Sequence, residues 1–331
     1  MKTKRILITG ACGSVGTKLT EAILKESHVV CAFDNNEDGL FELKKQFQKK
    51  YPNNLKLFLG DIRDQKRVSQ AHIGVDEVYH CAALKHVELN EYNPFETLNT
   101  NVLGTQNIIN AAIENKVSKV LLTSSDKAVN PSSMMGATKL LAEKLIISAN
   151  NFSGTDEISF GCLRFGNVWN TNGSVGKIFK TQILNSENIS VTSKEMTRFF
   201  ITLDNAISLC IEAMNELIGG EIFVSDMGGT SIGKLAESFQ KIAPNTEIIE
   251  IGIKPGEKLY EELFTDVEST RTFLYKDMYV VLPENLDAMS TRYRTITNKY
   301  NNPIKKNIAL RSDSEFAKQI NTDYLVKQIM G

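Results

Sequence analysis

The 331-residue sequence predicts an α/β fold, in which a doubly wound parallel sheet carries a second, smaller α/β lobe. Three observations support this prediction. Apolar, strand-like runs alternate with amphipathic helical segments in the first half of the chain. A glycine-rich turn follows the first strand, and a carboxylate ends the second strand. After about Phe165 the alternation gives way to a less periodic sequence.

The predicted strands are almost continuously apolar, which is typical of strands that are buried on both faces of a sheet. They are RILIT (5–9), VVCAF (29–33), LKLFLG (55–60), EVYHCAA (77–83) and KVLLTSS (119–125). The segments between them show helical spacing. For example, 14–24 places Val15, Leu19 and Ile23 on one face, and 96–115 reads as a long amphipathic helix. We therefore expect right-handed β–α–β connections and a parallel sheet.

The second half of the chain predicts a smaller lobe. Its Gly- and Asn-rich stretch is followed by one more helix (204–217), one more strand (221–226), and then short helices and a polar tail. We expect the sheet domain to comprise residues 1–166 plus about 200–226. The smaller lobe would then comprise about 167–199 and 227–331.

Composition excludes several classes of function. The net charge of −1 leaves no basic excess for binding phosphates, so we expect no nucleic-acid partner. No apolar run approaches the roughly 18 residues of a membrane span, and no signal segment precedes the first strand. We expect a cytoplasmic protein with no membrane contact. The five scattered cysteines contain no CxxC pair, which favours free thiols and no metal site.

The turn ITGACGSVG predicts a dinucleotide-binding site. Gly10, Gly13 and Gly16 lie between the first strand and the first helix, where glycines allow a tight turn. Backbone N–H groups at the start of the helix can then approach a pyrophosphate. We expect Ser14 and Val15, within the same turn, to contact the cofactor.

Residues after the second and third strands favour NAD as the cofactor. Asp34 is placed to accept hydrogen bonds from the adenosine ribose, with Asn35 beside it. A carboxylate there would repel the 2′-phosphate of NADP, and no Arg occurs in FDNNED. Asp61 and Ile62, in GDIRD, are placed to contact the adenine. Together these features predict a Rossmann domain that binds NAD.

These motifs resemble those of the extended short-chain dehydrogenases/reductases, as do HCAALKHV (80–87) and NTNVLGT (99–105). Four further stretches are similar to the nucleotide-sugar 4,6-dehydratases of polysaccharide biosynthesis that act on N-acetylglucosamine. They are SSDKAVNPSSMMGATK (124–139), LRFGNVWNTNGSV (163–175), EMTRFFITLDNA (195–206) and KPGEKLYEEL (254–263). The resemblance covers about residues 4–265, and the last 65 or so residues carry little of it.

One departure from the wider pattern raises the central question. Lys139 belongs to a Tyr-x-x-x-Lys pattern, but Met135 stands where the tyrosine is expected. A thioether cannot donate or accept a proton at neutral pH. In the family reaction a hydride leaves sugar C4, water is lost across C5 and C6, and the hydride returns to C6. Such a reaction needs three groups that handle protons.

The resemblance assigns these groups to the end of the fifth strand. It implies that Lys127 is the base for C5 and that Asp126 is the acid for the departing 6-hydroxyl. Ser125 would bond the 4-hydroxyl, and Lys139 the nicotinamide ribose. We expect desolvation to help Lys127 become neutral. Our hypothesis is that Asp126 replaces the tyrosine as acceptor of the 4-hydroxyl proton, directly or through Ser125.

Other residues receive roles by the same resemblance. Ala82 and Ala83 would let the cofactor approach the fourth strand, Asn101 would order the neighbouring helix, and Lys85 would contact the cofactor ribose or the sugar. Arg198 would supply charge for the diphosphate. The implied substrate contacts are Lys85, His86, Met135, Asn167, Ser174, Val175, Arg198, Lys254 and Glu257. Lys254 keeps the charge of the more usual arginine but loses its bidentate fork.

The sequence thus predicts NAD-dependent dehydration of a nucleotide-linked N-acetylglucosamine in bacterial surface-glycan or nonulosonic-acid biosynthesis. UDP is favoured over GDP as the nucleotide, and retention over inversion at C5. A 4-epimerase is the main alternative, although the Asp126–Lys127 pair is surplus to that reaction. A non-catalytic NAD-binding regulator is a second alternative. A homo-oligomer, dimer or higher, is typical of the fold.

Overall fold

The computed structural model describes residues 3–153, 157–171, 173–284, 291–315 and 317–330. The strands within these ranges are β1 (Arg5–Thr9), β2 (Val29–Asp34), β3 (Leu55–Leu59), β4 (Glu77–His80), β5 (Lys119–Ser125), β6 (Ser159–Phe165), β7 (Asn167–Val168), β8 (Ile189–Val191), β9 (Thr197–Ile201), β10 (Ile222–Ser225), β11 (Gly228–Ser231), β12 (Ile248–Glu250), β13 (Thr272–Tyr275), β14 (Met278–Val281) and β15 (Lys318–Gln319).

The helices in the same ranges are α1 (Ser14–Lys25), α2 (Glu37–Phe47), α3 (Gln65–His72), α4 (Val87–Tyr92), α5 (Pro94–Leu98), α6 (Gly104–Glu114), α7 (Met134–Phe152), α8 (Val175–Leu184), α9 (Leu203–Glu216), α10 (Ile232–Gln240), α11 (Asp266–Ser269), α12 (Thr291–Lys299) and α13 (Thr322–Met330). A π-helical turn (Asn99–Leu103) joins α5 to α6, and a 3₁₀ turn (Asp126–Ala128) follows β5. Among the described residues, no helix is both long enough and apolar enough to cross a membrane.

The large sheet confirms the predicted doubly wound fold. Its strand order is β13-β14-β10-β6-β5-β4-β1-β2-β3. The pairings from β3 across to β10 are all parallel, whereas β14 runs antiparallel to β10 and to β13. The strand order reverses direction between β1 and β4. Ligands of such sheets bind outside the carboxyl ends of the strands at this point.

The predicted long helix at 96–115 is interrupted. The chain instead forms α5, the π-helical turn and α6 in succession. Asn101, at the centre of the turn, is buried and directs its side chain to the loop after β4. Single π-helical turns of this kind are frequent at functional sites.

The smaller lobe has its own sheets and its own apolar core. The described strands form a four-stranded sheet in the order β15-β11-β9-β7 and a two-stranded sheet of β12 and β8. Trp169 lies edge-on to Phe200, with 5.7 Å between the ring centroids, and its indole N–H donates to the carbonyl of Leu325 at 2.9 Å. The C-terminal helix α13 is thereby joined to this core.

The observed strand pairing disagrees with one part of the predicted division into two lobes. Residues 227–331 were assigned to the smaller lobe, but the hairpin of β13 and β14 extends the large sheet. Met278 and Val280 on β14 are buried against the main core. Two four-residue strands in a polar region give too weak a periodic signal to predict this pairing.

A buried ion-pair network connects β6 to α7 and α11. The guanidinium of Arg164 donates two hydrogen bonds to the carboxylate of Glu143, at 2.9 and 2.7 Å, and two to that of Glu268, at 3.0 and 2.8 Å. Arg164 and Glu143 are each 1% exposed. Because the charges are removed from water, they depend on one another for compensation.

We expect Arg164→Ala to lower the free energy of unfolding by about 3–5 kcal/mol, because it leaves the buried carboxylate of Glu143 and the partly buried carboxylate of Glu268 without their shared cation. Urea denaturation followed by circular dichroism measures this change. Lys45→Ala, which removes the exposed Lys45–Glu42 pair, is the control and should cost less than about 1 kcal/mol. Equal losses for the two variants would contradict the interpretation.

Candidate active site

A cavity of about 1290 Å³ lies at the carboxyl edge of the large sheet and extends to the smaller lobe. Such a volume exceeds that of a typical site for one small ligand. It is lined by most of the residues predicted from the sequence: Gly10, Gly13, Ser14, Val15, Gly16, Asp34, Asn35, Asp61, Ile62, Ala82, Ala83, Lys85, His86, Ser125, Lys127, Met135, Lys139, Asn167, Ser174, Val175, Arg198, Lys254 and Glu257. Two predicted residues, Asp126 and Asn101, lie buried behind its wall.

The glycine turn brings three backbone segments very close together. A Cβ atom at Gly10, whose φ is 67°, would lie 2.7 Å from the amide nitrogen of Ala82. A Cβ atom at Gly16 would lie 2.2 Å from the carbonyl oxygen of Gly10. Helix α1 begins at Ser14, so its unpaired N–H groups face the cavity. This arrangement is a cradle for a phosphate group.

Asp34 fastens the glycine turn to the end of β2. Its carboxylate accepts hydrogen bonds from the backbone N–H groups of Cys12, at 2.9 Å, and Asn36, at 3.0 Å. Each carboxylate oxygen can accept a further hydrogen bond, so the side chain can also bind ribose hydroxyls.

Arg63 is a residue of the cavity wall that the sequence reasoning missed. Its guanidinium donates to both carboxylate oxygens of Asp61 and, at 2.6 Å, to Glu96. The Arg63 guanidinium lowers the pKa of Asp61. The segment after β2 contains no arginine, whereas Arg63 follows β3 and lines the same cavity. The positive charge of Arg63 is therefore already paired with the carboxylates of Asp61 and Glu96.

At the end of β5, three consecutive residues form a hydrogen-bonded cluster. The Ser125 hydroxyl donates to Oδ1 of Asp126 at 2.7 Å, and the Lys127 ammonium donates to the same oxygen at 3.0 Å. Asp126 is 0% exposed. Ser125 and Lys127 line the cavity and Asp126 does not, so the hydrogen bonds of its two neighbours connect this carboxylate to the cavity.

The charges around Lys127 include one carboxylate that was not predicted. Glu261 lines the cavity and places its Oε1 3.5 Å from the Lys127 ammonium. Burial lowers the pKa of Lys127, but the charges of Asp126 and Glu261 outweigh it and raise the pKa above its ordinary value. Desolvation thus favours the neutral amine, as expected, but the two neighbouring carboxylates together outweigh it. The motif KPGEKLYEEL contains Glu261, but its sequence does not show which carboxylate faces the cavity.

Met135 and Lys139 lie on the first turns of α7. Ser133 caps this helix by accepting a hydrogen bond from the N–H of Gly136 at 3.1 Å. Met135 is buried and lines the cavity. The Lys139 ammonium donates to the carbonyl of Thr123 at 2.7 Å, and burial lowers the pKa of Lys139.

Asn101 orders the loop between β4 and α4. Its side-chain oxygen accepts from the N–H of Leu84 at 2.8 Å. Its amide nitrogen donates to the carbonyl of Leu84 and to the hydroxyl of Thr138, both at 3.1 Å. The π-helical turn thus holds the loop that contributes Lys85 and His86 to the cavity.

The predicted substrate contacts at the far end of the cavity are polar and partly paired. Arg198 donates to the carbonyl of Thr197 at 2.8 Å. The exposed ammonium of Lys254 lies 3.1 Å from the carboxylate of Glu88, and Glu257 accepts from the Lys254 N–H at 3.1 Å. The remaining predicted contacts there are Asn167, Ser174 and Val175.

Comparison with known proteins identifies the family of this chain. Residues 6–283 match the family described as polysaccharide biosynthesis protein. An uncharacterized membrane protein of Methanocaldococcus jannaschii is 43% identical over 296 residues, which cover 87% of this chain and 88% of that protein. A UDP-N-acetylglucosamine 4,6-dehydratase (inverting) of Campylobacter jejuni is 38% identical over 283 residues, covering 85% and 83% of the two chains.

A UDP-glucose 4-epimerase of Rickettsia rickettsii is 36% identical over 296 residues, which cover 88% of this chain and 86% of that one. Among solved structures, the X-ray structure of Pen from Bacillus thuringiensis superposes with a TM-score of 0.89 at 39% identity. That match covers 99% of this chain and 97% of the other.

We expect Asn101→Ala to release the loop at Leu84, because the variant leaves the Leu84 N–H without its side-chain acceptor and leaves the Leu84 C=O with Asn90 as its one remaining side-chain donor among the described residues. Amide hydrogen exchange at Leu84 should become at least about tenfold faster. Asn110→Ala removes a side chain that accepts from Gln106 in α6, and it should leave this exchange rate unchanged. Unaltered exchange at Leu84 in Asn101→Ala would refute the role assigned to Asn101.

Proposed function

The chain belongs to the polysaccharide biosynthesis protein family, and on that basis we propose that it is an NAD-dependent nucleotide-sugar 4,6-dehydratase. The proposed substrate is a nucleotide-activated N-acetylglucosamine, and the product is its 4-keto-6-deoxy derivative. The observation that carries this proposal is the Ser125–Asp126–Lys127 cluster at the cavity wall, beside a methionine that cannot transfer protons.

The residues around the glycine turn fit NAD. The close approach at Gly10 and Gly16 leaves room for a pyrophosphate on the N-terminus of α1, and Asp34 keeps acceptor capacity for the ribose. Lys139 supplies a buried donor near the ends of β4 and β5. When bound, NAD supplies a hydride acceptor for sugar C4 and returns the hydride at C6.

The cluster after β5 offers a route for the protons. Ser125 receives the proton of the 4-hydroxyl as its own proton passes to Asp126, over the existing 2.7 Å hydrogen bond. The neutral form of Lys127 takes the C5 proton, which the ketone at C4 makes acidic. Asp126 then returns its proton, through Ser125, to the departing 6-hydroxyl, which leaves as water.

The same cluster supports retention of configuration at C5. Inversion requires a second acid on the opposite face of the sugar, and Met135, which stands where the wider pattern has a tyrosine, cannot supply a proton. Lys127 therefore removes the proton and returns it on one face. The Campylobacter jejuni relative is named as inverting, so stereochemistry is a decisive measurement for this proposal.

UDP is the proposed nucleotide, with GDP second, because the named dehydratase relative uses a UDP sugar. A 4-epimerase is the second candidate function, and the Rickettsia rickettsii relative of that name favours it. Epimerisation needs only redox chemistry at C4. The buried Asp126–Lys127 pair would then have no proton to transfer at C5 or C6.

Incubation with UDP- and GDP-N-acetylglucosamine in deuterated water should distinguish these functions. We expect the product to lack one water, to carry deuterium at C5 with unchanged configuration, and to form faster from the UDP sugar. Mass spectrometry and proton NMR measure all three properties. A 4-epimer of unchanged composition would indicate an epimerase, and NAD binding without turnover would indicate a regulator.

Asp126→Asn should reduce turnover by at least about 10²-fold, because the variant removes a positioned proton acceptor. NAD binding should persist, since Asp126 does not line the cavity. Met135→Ala should keep turnover within about tenfold of the original chain. Loss of activity in a correctly folded Met135→Ala variant would show that the methionine has a role in the chemistry itself.

A further inference from the structure

Glu261 is a buried carboxylate at the cavity wall. It is 2% exposed, and its Oε1 lies 3.5 Å from the Lys127 ammonium and 3.7 Å from Nε of Arg198. Its Oε2 lies 3.8 Å from the Lys258 ammonium and accepts no hydrogen bond from the described residues. One carboxylate therefore faces three cations from three different segments.

The backbone of Glu261 is fixed by the C-terminal part of the chain. Its N–H donates to the Ser312 hydroxyl, and its C=O accepts from the Ser312 N–H, both at 2.9 Å. The Ser312 hydroxyl also lies 2.8 Å from that of Thr197 on β9. Glu262 and Arg311 form an antiparallel bridge immediately beside this contact. Glu261 thus has little freedom to withdraw from Lys127.

Glu261 is the second of two carboxylates beside the Lys127 ammonium, after Asp126. Both carboxylates favour the protonated form of the amine, whereas the nearby charge of Arg198 disfavours it. In the proposed reaction Asp126 gains and loses a proton, and while protonated it no longer offsets the charge of Lys127. Glu261 is a second carboxylate beside the amine, 3.5 Å away, which takes no part in this proton cycle.

We propose that Glu261 is a positioning residue for Lys127. Its carboxylate holds the Lys127 amine at the cavity wall and favours the protonated form of that amine. This inference rests on the proposed function only for the role of Lys127 as the C5 base. The pairing of the two side chains can be tested without any substrate.

The decisive experiment measures the titration of Lys127 in Glu261→Gln. Competitive acetylation with acetic anhydride, quantified by peptide mass spectrometry across a range of pH, reports the fraction of neutral amine at Lys127. Loss of a neighbouring carboxylate disfavours the ammonium form, so the titration midpoint should fall by about one pH unit. The rising limb of kcat/KM against pH should move in the same direction, because neutral amine is then present at lower pH.

Two further variants complete the design. Glu262→Gln removes the adjacent carboxylate, which accepts a hydrogen bond from Asn130 at 2.7 Å, and should leave the titration unchanged. Glu261→Asp keeps the charge on a shorter side chain, so its midpoint should lie between those of Glu261→Gln and the original chain. It also serves as the test variant if Glu261→Gln does not fold.

Identical titrations in the original chain and in a folded Glu261→Gln or Glu261→Asp variant would overturn the inference. A shifted titration in an enzyme that releases no water would uphold the pairing and refute the proposed dehydratase function instead. The two failures are therefore distinguishable.

Discussion

The site depends on how closely β1 and β4 approach at their carboxyl ends. Gly10 touches the backbone of Ala82 at a distance that leaves no space for a side chain. Because β5 and β6 pair in parallel beyond β4, the ends of all these strands fall along one edge. This backbone contact sets the spacing of three segments that line one cavity: the glycine turn, the loop held by Asn101 and the cluster after β5.

Much of this arrangement could be predicted from the sequence, since it is encoded locally. A strand followed by glycines, and the Asp34 that ends the next strand, have fixed geometric consequences in a parallel sheet. Glu261 and Arg63 could not be found in this way. Arg63 reaches Glu96 and Glu261 reaches Arg198 only in the folded chain, and in sequence each is one charged residue among several. The β13–β14 hairpin escaped prediction because sheet pairing, and not periodicity, decides where such short strands lie.

The missing tyrosine changes the demands on the rest of the site. A phenol would offer one group that both touches a ligand and transfers a proton. With Met135 in its place, the proposed mechanism divides contact and proton storage between the Ser125 hydroxyl, which reaches the cavity, and the Asp126 carboxylate, which does not. Burial keeps water away from the Asp126 carboxylate. Under the proposed mechanism, the rotamer of Ser125 therefore controls each proton transfer to or from that carboxylate.

The support of Glu261 by Ser312 has a consequence for how relatives of this chain can diverge. Part of that support comes from antiparallel backbone hydrogen bonds, from the Leu263 N–H to the Leu310 C=O and from the Ser312 N–H to the Glu261 C=O, and backbone groups are the same for nearly every amino acid. The rest comes from the Ser312 hydroxyl, so substitutions in this part of the tail, other than at Ser312, should be tolerated better than deletions. The path of its backbone therefore matters more to the active site than most of its side chains do. A region with little sequence resemblance can in this way remain indispensable to the active site.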